Sequence, residues 1–232
     1  MNTVSEKFQN FNLSCNPTKD ELYHITRTGS EEWKECKYLG SYFDTITDIK
    51  SRKSKAMTAF TQYSHILTNT NLSLAIRNRL FNAYIRSIFL YNSELWSTNK
   101  KINNIIDTFQ RRLYRKILQI KYPQVIRNTE VYRIFKEIPW SELIKQRRIK
   151  WIGHLHRLPE DAPVRVALSE ATSPYKKVRG GQVTTYIKSV NSDLKDINFP
   201  PVNSSELIEA CSDRNQFRKE VRSRQQCVEQ LR

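Results

Sequence analysis

Residues 100–120 read KKINNIIDTFQRRLYRKILQI, and the spacing of their apolar side chains decides the fold class. Ile102, Ile105, Ile106, Phe109, Leu113, Ile117 and Ile120 recur at helical intervals, which places them on one inward side of an α-helix. Asn99 starts this helix, and Tyr122-Pro123 ends it because proline lacks an N–H and restricts the residue before it. The outer side carries Arg111, Arg112, Arg115 and Lys116, with Arg111 and Arg115 one turn apart. A helix that is apolar on one side and cationic on the other needs partners for its apolar side.

The flanking sequence supplies them. Upstream, Ser73 caps a helix predicted over about 74–97. Its second half is apolar nearly all round (Tyr84, Ile85, Ile88, Phe89, Leu90, Tyr91, Leu95, Trp96), which predicts a buried central helix. Before it, Thr47 or Asp48 caps a helix with Ile49, Ala56, Phe60, Tyr63 and Leu67 on one side. Lys50, Arg52, Lys53 and Lys55 lie in its first turns, where cations oppose the helix dipole at up to ~1 kcal/mol each when exposed. A phosphate contact would give that placement a reason; simple tolerance explains it equally well.

Downstream, a short helix follows Asn128-Thr129-Glu130 and stops before Pro139. The next spans about 141–157, and at 100° per residue Arg147, Lys150, His154 and Arg157 share one arc. Trp140, Ile144, Trp151, Ile152, Leu155 and Leu158 fill the neighbouring arc. Residues 172–181 read as a linker, and helices over about 182–197 and 204–228 are separated by Pro200-Pro201, the last polar enough to fray. Near the N-terminus, Asn16-Pro17-Thr18-Lys19 is a turn and Trp33 to Phe43 reads as a hairpin bending at Gly40. The expected fold is therefore mostly α, a helical bundle preceded by a small α+β segment with a β-hairpin.

The charge is concentrated. The 232 residues hold 39 Lys and Arg against 23 Asp and Glu, a net +16, and residues 46–181 alone carry +17. Eleven tyrosines, ten phenylalanines and four tryptophans mark a folded electropositive surface rather than a floppy tail. The four cysteines form no C-x-x-C pair, no apolar run reaches the ~20 residues of a membrane span, and the first residues are no secretory signal. A protein of the nucleus or cytoplasm, neither secreted nor membrane-bound, is expected. The basic block lacks the converging carboxylates of a two-metal site. His154 and His156, two apart on a helix, point different ways, and no nucleophile elbow or Walker loop appears. Neither metal nor cofactor is expected in this chain. Cys15 and Cys36 read as small buried apolar residues. What is left is nucleic-acid binding through Lys50, Arg52, Lys53, Lys55, Arg111, Arg112, Arg115, Lys116, Arg147, Lys150, His154 and Arg157, the alternative being solvated helix faces.

Several stretches, in order, resemble the C-terminal part of a LINE-type (non-LTR) retrotransposon reverse transcriptase. Phe11-Asn12-Leu13-Ser14-Cys15-Asn16-Pro17-Thr18-Lys19-Asp20-Glu21 looks like palm motif D, and Lys37-Tyr38-Leu39-Gly40-Ser41 like motif E, the primer-grip hairpin. Leu80-Phe81-Asn82-Ala83-Tyr84 followed by Leu90-Tyr91-Asn92-Ser93-Glu94-Leu95-Trp96 is similar to the thumb pattern L-F-x-A…L-Y-G-S-E-x-W. Arg111 to Leu118 and Arg147 to Arg157 continue it, so the match spans about residues 11–190.

The resemblance implies a palm remnant over 1–45, a basic helical thumb over 46–122, a helical extension over 123–175, and a linker with C-terminal helices over 176–232. By the same resemblance Lys19 lies near the incoming nucleotide, while Tyr38, Leu39 and Gly40 hold the primer end. The family's catalytic aspartates and the Mg²⁺ they hold in the intact parent would lie upstream of Met1. The expectation is thus a fragment of an RNA-directed DNA polymerase that grips an RNA–DNA hybrid or duplex DNA without catalysis. A domesticated nucleic-acid-binding module, an inert pseudogene product and a protein–protein adaptor remain open alternatives.

Overall fold

The computed structural model describes residues 32–172 and 185–230. Lys19, the motif around it, Cys15 and most of the expected linker lie outside the described residues. The chain divides into two compact units at the Asp48–Ile49 boundary.

In the first unit, β1 (Lys37–Tyr38) and β2 (Ser41–Tyr42) form an antiparallel hairpin with Lys37 opposite Tyr42 and Tyr38 opposite Ser41. Its two-residue turn, Leu39 (φ 47) and Gly40 (φ 81), has the paired positive φ of a type I′ turn. Glycine takes that conformation freely, whereas leucine is strained by it. The hairpin leads into α1 (Thr45–Gln62). Its cap is Asp44, not Thr47 or Asp48: the Asp44 carboxylate accepts from both the Thr47 N–H and the Thr47 hydroxyl at 2.8 Å. Asp48 is instead buried and accepts a bond from the Tyr42 N–H.

The second unit is helical. After the body of α1 come α2 (Ser64–Leu67), α3 (Leu74–Phe81), a π-helical turn (Asn82–Arg86) and α4 (Ser87–Phe89). Then follow α5 (Lys100–Ile117), α6 (Asn128–Phe135), α7 (Trp140–His156), α8 (Pro163–Thr172), α9 (Tyr186–Asp196), α10 (Ser205–Ser212) and α11 (Arg214–Gln230). Ser73 and Asn99 cap α3 and α5 as the sequence predicts. The central helix expected over 74–97 stops at Phe89. The wide π turn rotates the chain, and Asn92 (φ 55) reverses it, so Trp96 returns edge-on to Phe89 at 5.7 Å. An all-round apolar run here marks a turn made inside the core: Ile85, Phe89, Leu90 and Trp96 are buried, while Tyr84, Tyr91 and Leu95 face out. Ile105 of α5 is likewise exposed rather than inward.

Two apolar clusters meet on α7. The first gathers α1 to α6 around an aromatic stack in which the Trp140 ring lies 4.7 Å from Phe89 and 5.9 Å from Phe81. The second joins Ile149, Ile152 and Leu155 of α7 to Val190, Leu194, Leu207, Cys211, Phe217 and Val221 of the C-terminal helices. Each such side chain, fully buried, contributes roughly 1.5–3 kcal/mol. The C-terminal helix expected over 204–228 is broken at Asp213, whose side chain accepts from the Asn215 and Gln216 N–H groups and starts α11. These helices pack on α7 rather than fray from it.

An ion pair fixes the second cluster to the first. Arg148 is 1% exposed; its Nε stands 2.7 Å from Asp193, and its other nitrogens donate to the Trp96 carbonyl and Thr98 hydroxyl. Ser189 and Thr98 exchange a reciprocal pair of bonds beside it. No helix among the described residues is long and apolar enough to cross a membrane.

Candidate nucleic-acid interface

Charge in the second unit is unbalanced by sequence before it is shaped by folding. From Ile49 to Thr129 the only acids are Glu94 and Asp107. Asp107 is turned into the fold, where it accepts from the Ser141 N–H and hydroxyl, and burial pushes its carboxyl above the usual range. The stretch itself thus supplies few carboxylates to its cations, and Arg86 takes its partner, Glu137, from the following one.

Helices α1 and α5 place four of those cations along one seam. They run parallel, since Lys53 of α1 reaches over the Phe109 ring (5.5 Å) and Lys116 of α5 over the Phe60 ring (5.7 Å). Each ammonium rides on an aromatic face with its methylene stem along the apolar surface and its head toward solvent. Lys50 and Arg112, one turn before Lys53 and Lys116, are exposed. The seam is thus an aromatic-backed strip of positive charge, suited to phosphates and without the fixed donors that read bases.

The remaining expected contacts divide. Arg52 is buried with its guanidinium 4.5 Å above the Tyr91 ring, so it packs the bundle; Lys55 is exposed. Arg111 and Arg115 do not share the surface of Arg112 and Lys116. Arg111 donates to Thr108 and the Tyr132 hydroxyl, and Arg115 to the Ile126 carbonyl and Asn128, which fastens α6 to α5. Arg147 donates to the Leu90 carbonyl and braces the turn at Ser93. Lys150, His154 and Arg157 stay together on α7, with Arg157 also donating to the Cys211 carbonyl.

Sequence reasoning missed what faces that ridge. Arg214, Arg218 and Arg222 of α11 line the same hollows as Lys150. Their four-residue spacing was legible, but residues 182–232 are nearly neutral in sum, and folding sorts the signs onto different faces. Lys150 is held below the usual lysine range first by partial burial, then by Arg222, Arg218 and Arg147.

The hairpin expected to hold a primer end carries Tyr38 and Leu39 at 65% and 72% exposure, with Gly40 at the turn. Tyr38 stacks on Phe43 at 6.4 Å. Burial pushes the Cys211 thiol up to about 11, which leaves it unreactive. No group of three or more His, Cys, Asp or Glu among the described residues is placed to hold a metal ion. Comparison with known proteins returned no matching family model, no similar curated protein and no similar solved structure.

Proposed function

We propose that this chain grips template–primer nucleic acid, an RNA–DNA hybrid or duplex DNA, through sequence-independent phosphate contacts, in the manner of a reverse transcriptase thumb. The observation that carries the reading is the α1–α5 seam. Lys50, Lys53, Arg112 and Lys116 line two parallel helices in a stretch where only Glu94 and Asp107 are acidic. A surface that needed only solubility would interleave both signs. Phosphate contact releases counterions, so the grip weakens steeply with salt.

The test is fluorescence anisotropy of an RNA–DNA hybrid, duplex DNA and single strands across a salt series. Replacing Lys53, Arg112 and Lys116 together by Gln should weaken hybrid binding and flatten the log–log salt slope by about 0.9 per lost phosphate contact, roughly 2.7 in all. A folded variant with unchanged slope and affinity refutes the seam. A folded wild-type chain with no affinity at low salt refutes the nucleic-acid reading as a whole and favours a protein–protein adaptor.

A further inference from the structure

The hollow between α7 and α11 is a separate place where cations gather without acids. Lys150 faces Arg218 and Arg222 across one cavity of about 440 Å³. Past Lys150 a second cavity of about 260 Å³ is bounded by His154, Arg157 and Arg214. The pairing of early α7 with late α11, and of late α7 with early α11, makes the helices antiparallel, so the two cavities form one continuous trough. None of the residues lining either cavity is acidic. Elsewhere on the same two helices several cations have carboxylate partners: Arg224 pairs with Glu220, Arg148 with Asp193, and Lys145 with Glu142 and Asp196. The trough gathers five lysine and arginine cations and His154 with no carboxylate in its lining.

Its width is set by Gly153. A Cβ there would stand 2.4 Å from the Phe217 ring, so the helices lie as close as a bare backbone allows. Helices in contact have axes about 8–10 Å apart, and the channel between them admits one chain of phosphates but not a double helix. Along α11 the arginines recur every four residues, roughly 6 Å, a repeat comparable to that of successive phosphates in an extended strand.

We propose that the α7–α11 trough is a second nucleic-acid site, which takes the sugar–phosphate backbone of single-stranded RNA or DNA between Lys150, His154 and Arg157 on one wall and Arg214, Arg218 and Arg222 on the other. It shares the nucleic-acid reading above but not its surface, so the two fail separately.

The experiment uses the full chain and three variants. One replaces Arg214, Arg218 and Arg222 by Gln. A charge-matched control replaces the exposed Lys100, Lys101 and Lys121 by Gln. The third is the α1–α5 seam variant. The probes are fluorescein-labelled oligo(U) and oligo(dT) of twenty nucleotides and an RNA–DNA hybrid. The trough variant should lose on the order of tenfold or more in single-strand affinity and about 2 in salt slope, at roughly 0.7 per phosphate. Its hybrid affinity should stay within about twofold, as should the single-strand affinity of the control. Three results each overturn the proposal: unchanged single-strand binding by the folded trough variant, equal loss in the control, or equal loss on the hybrid. If the triple variant is unfolded, Arg218→Glu alone puts the same question. A wild-type chain that binds hybrid but neither single strand overturns the trough and leaves the seam standing.

Discussion

Substituting Gly153 by Ala tests the close approach of α7 and α11 directly. The added methyl would lie 2.4 Å from Phe217 Cε1, 2.8 Å from Cδ1 and 3.2 Å from Cζ. Comfortable carbon contacts are about 3.5–4 Å, so the ring or the helix bearing it must yield by about 1 Å. Phe217 is 2% exposed and held against Phe199 at 5.8 Å, which leaves it little room to turn. Overpacking of this kind costs up to about 3 kcal/mol. Replacing a mid-helix glycine by alanine returns about 1 kcal/mol of helix propensity. The net expectation is a loss of about 2 kcal/mol in urea denaturation with an unchanged m-value. Phe217→Leu removes Cε1, which makes the shortest approach, and Cζ, leaving only δ carbons near the added methyl. The double variant Gly153→Ala/Phe217→Leu should therefore lose at least about 1 kcal/mol less than the sum of the two single losses. A Gly153→Ala chain as stable as wild type, or strictly additive losses, would show that the two helices do not meet as described.

Two further perturbations probe charge and backbone. Arg148→Met leaves Asp193 buried and unpaired, at a cost of about 3–5 kcal/mol at neutral pH. Burial already raises Asp193 from 3.8 to about 6. A carboxyl raised in the folded state contributes stability that is fully present below its unfolded pKa and lost as pH rises through the folded one. The Arg148→Met penalty, measured by denaturant midpoints from pH 8 down to pH 4, should therefore shrink as Asp193 protonates; a penalty independent of pH would refute the pairing. Lys136 ends α6 with φ 53, and the Glu137 N–H donates back to the Tyr132 carbonyl. Glycine pays no Cβ penalty in that conformation, so Lys136→Gly should raise stability by about 1 kcal/mol in the same assay, and a lower midpoint would contradict the left-handed helix end.

The helical character and the inward faces of α5 and α7 were legible because periodicity records burial on one side of a straight element. Asn99 and Ser73 were legible as caps because their oxygens act within three residues. The π turn and the reversal at Asn92 were not, since an apolar run looks alike whether it continues as a helix or folds back within the core. Cation clusters were found by counting, but their division was not: only tertiary contacts assign Arg111 and Arg115 to α6 while leaving Arg112 and Lys116 beside α1. The α11 arginines escaped for the opposite reason, because acids adjacent in sequence cancel them in a sum and not on a surface.

Helix α7 belongs to both apolar clusters, with Trp140 and Ile144 in one and Ile149, Ile152 and Leu155 in the other. Neither cluster owns a complete set of walls. Removing the helices after residue 185 would strip one flank of α7 and leave Arg148 without Asp193, while loosening the aromatic stack would unseat the rod on which those helices rest. The second unit is therefore expected to unfold as one cooperative body, because both of its apolar clusters rest on α7. A substitution at a C-terminal position such as Leu207 should lower the stability of the whole second unit, α1–α5 seam included, rather than loosen the tail alone.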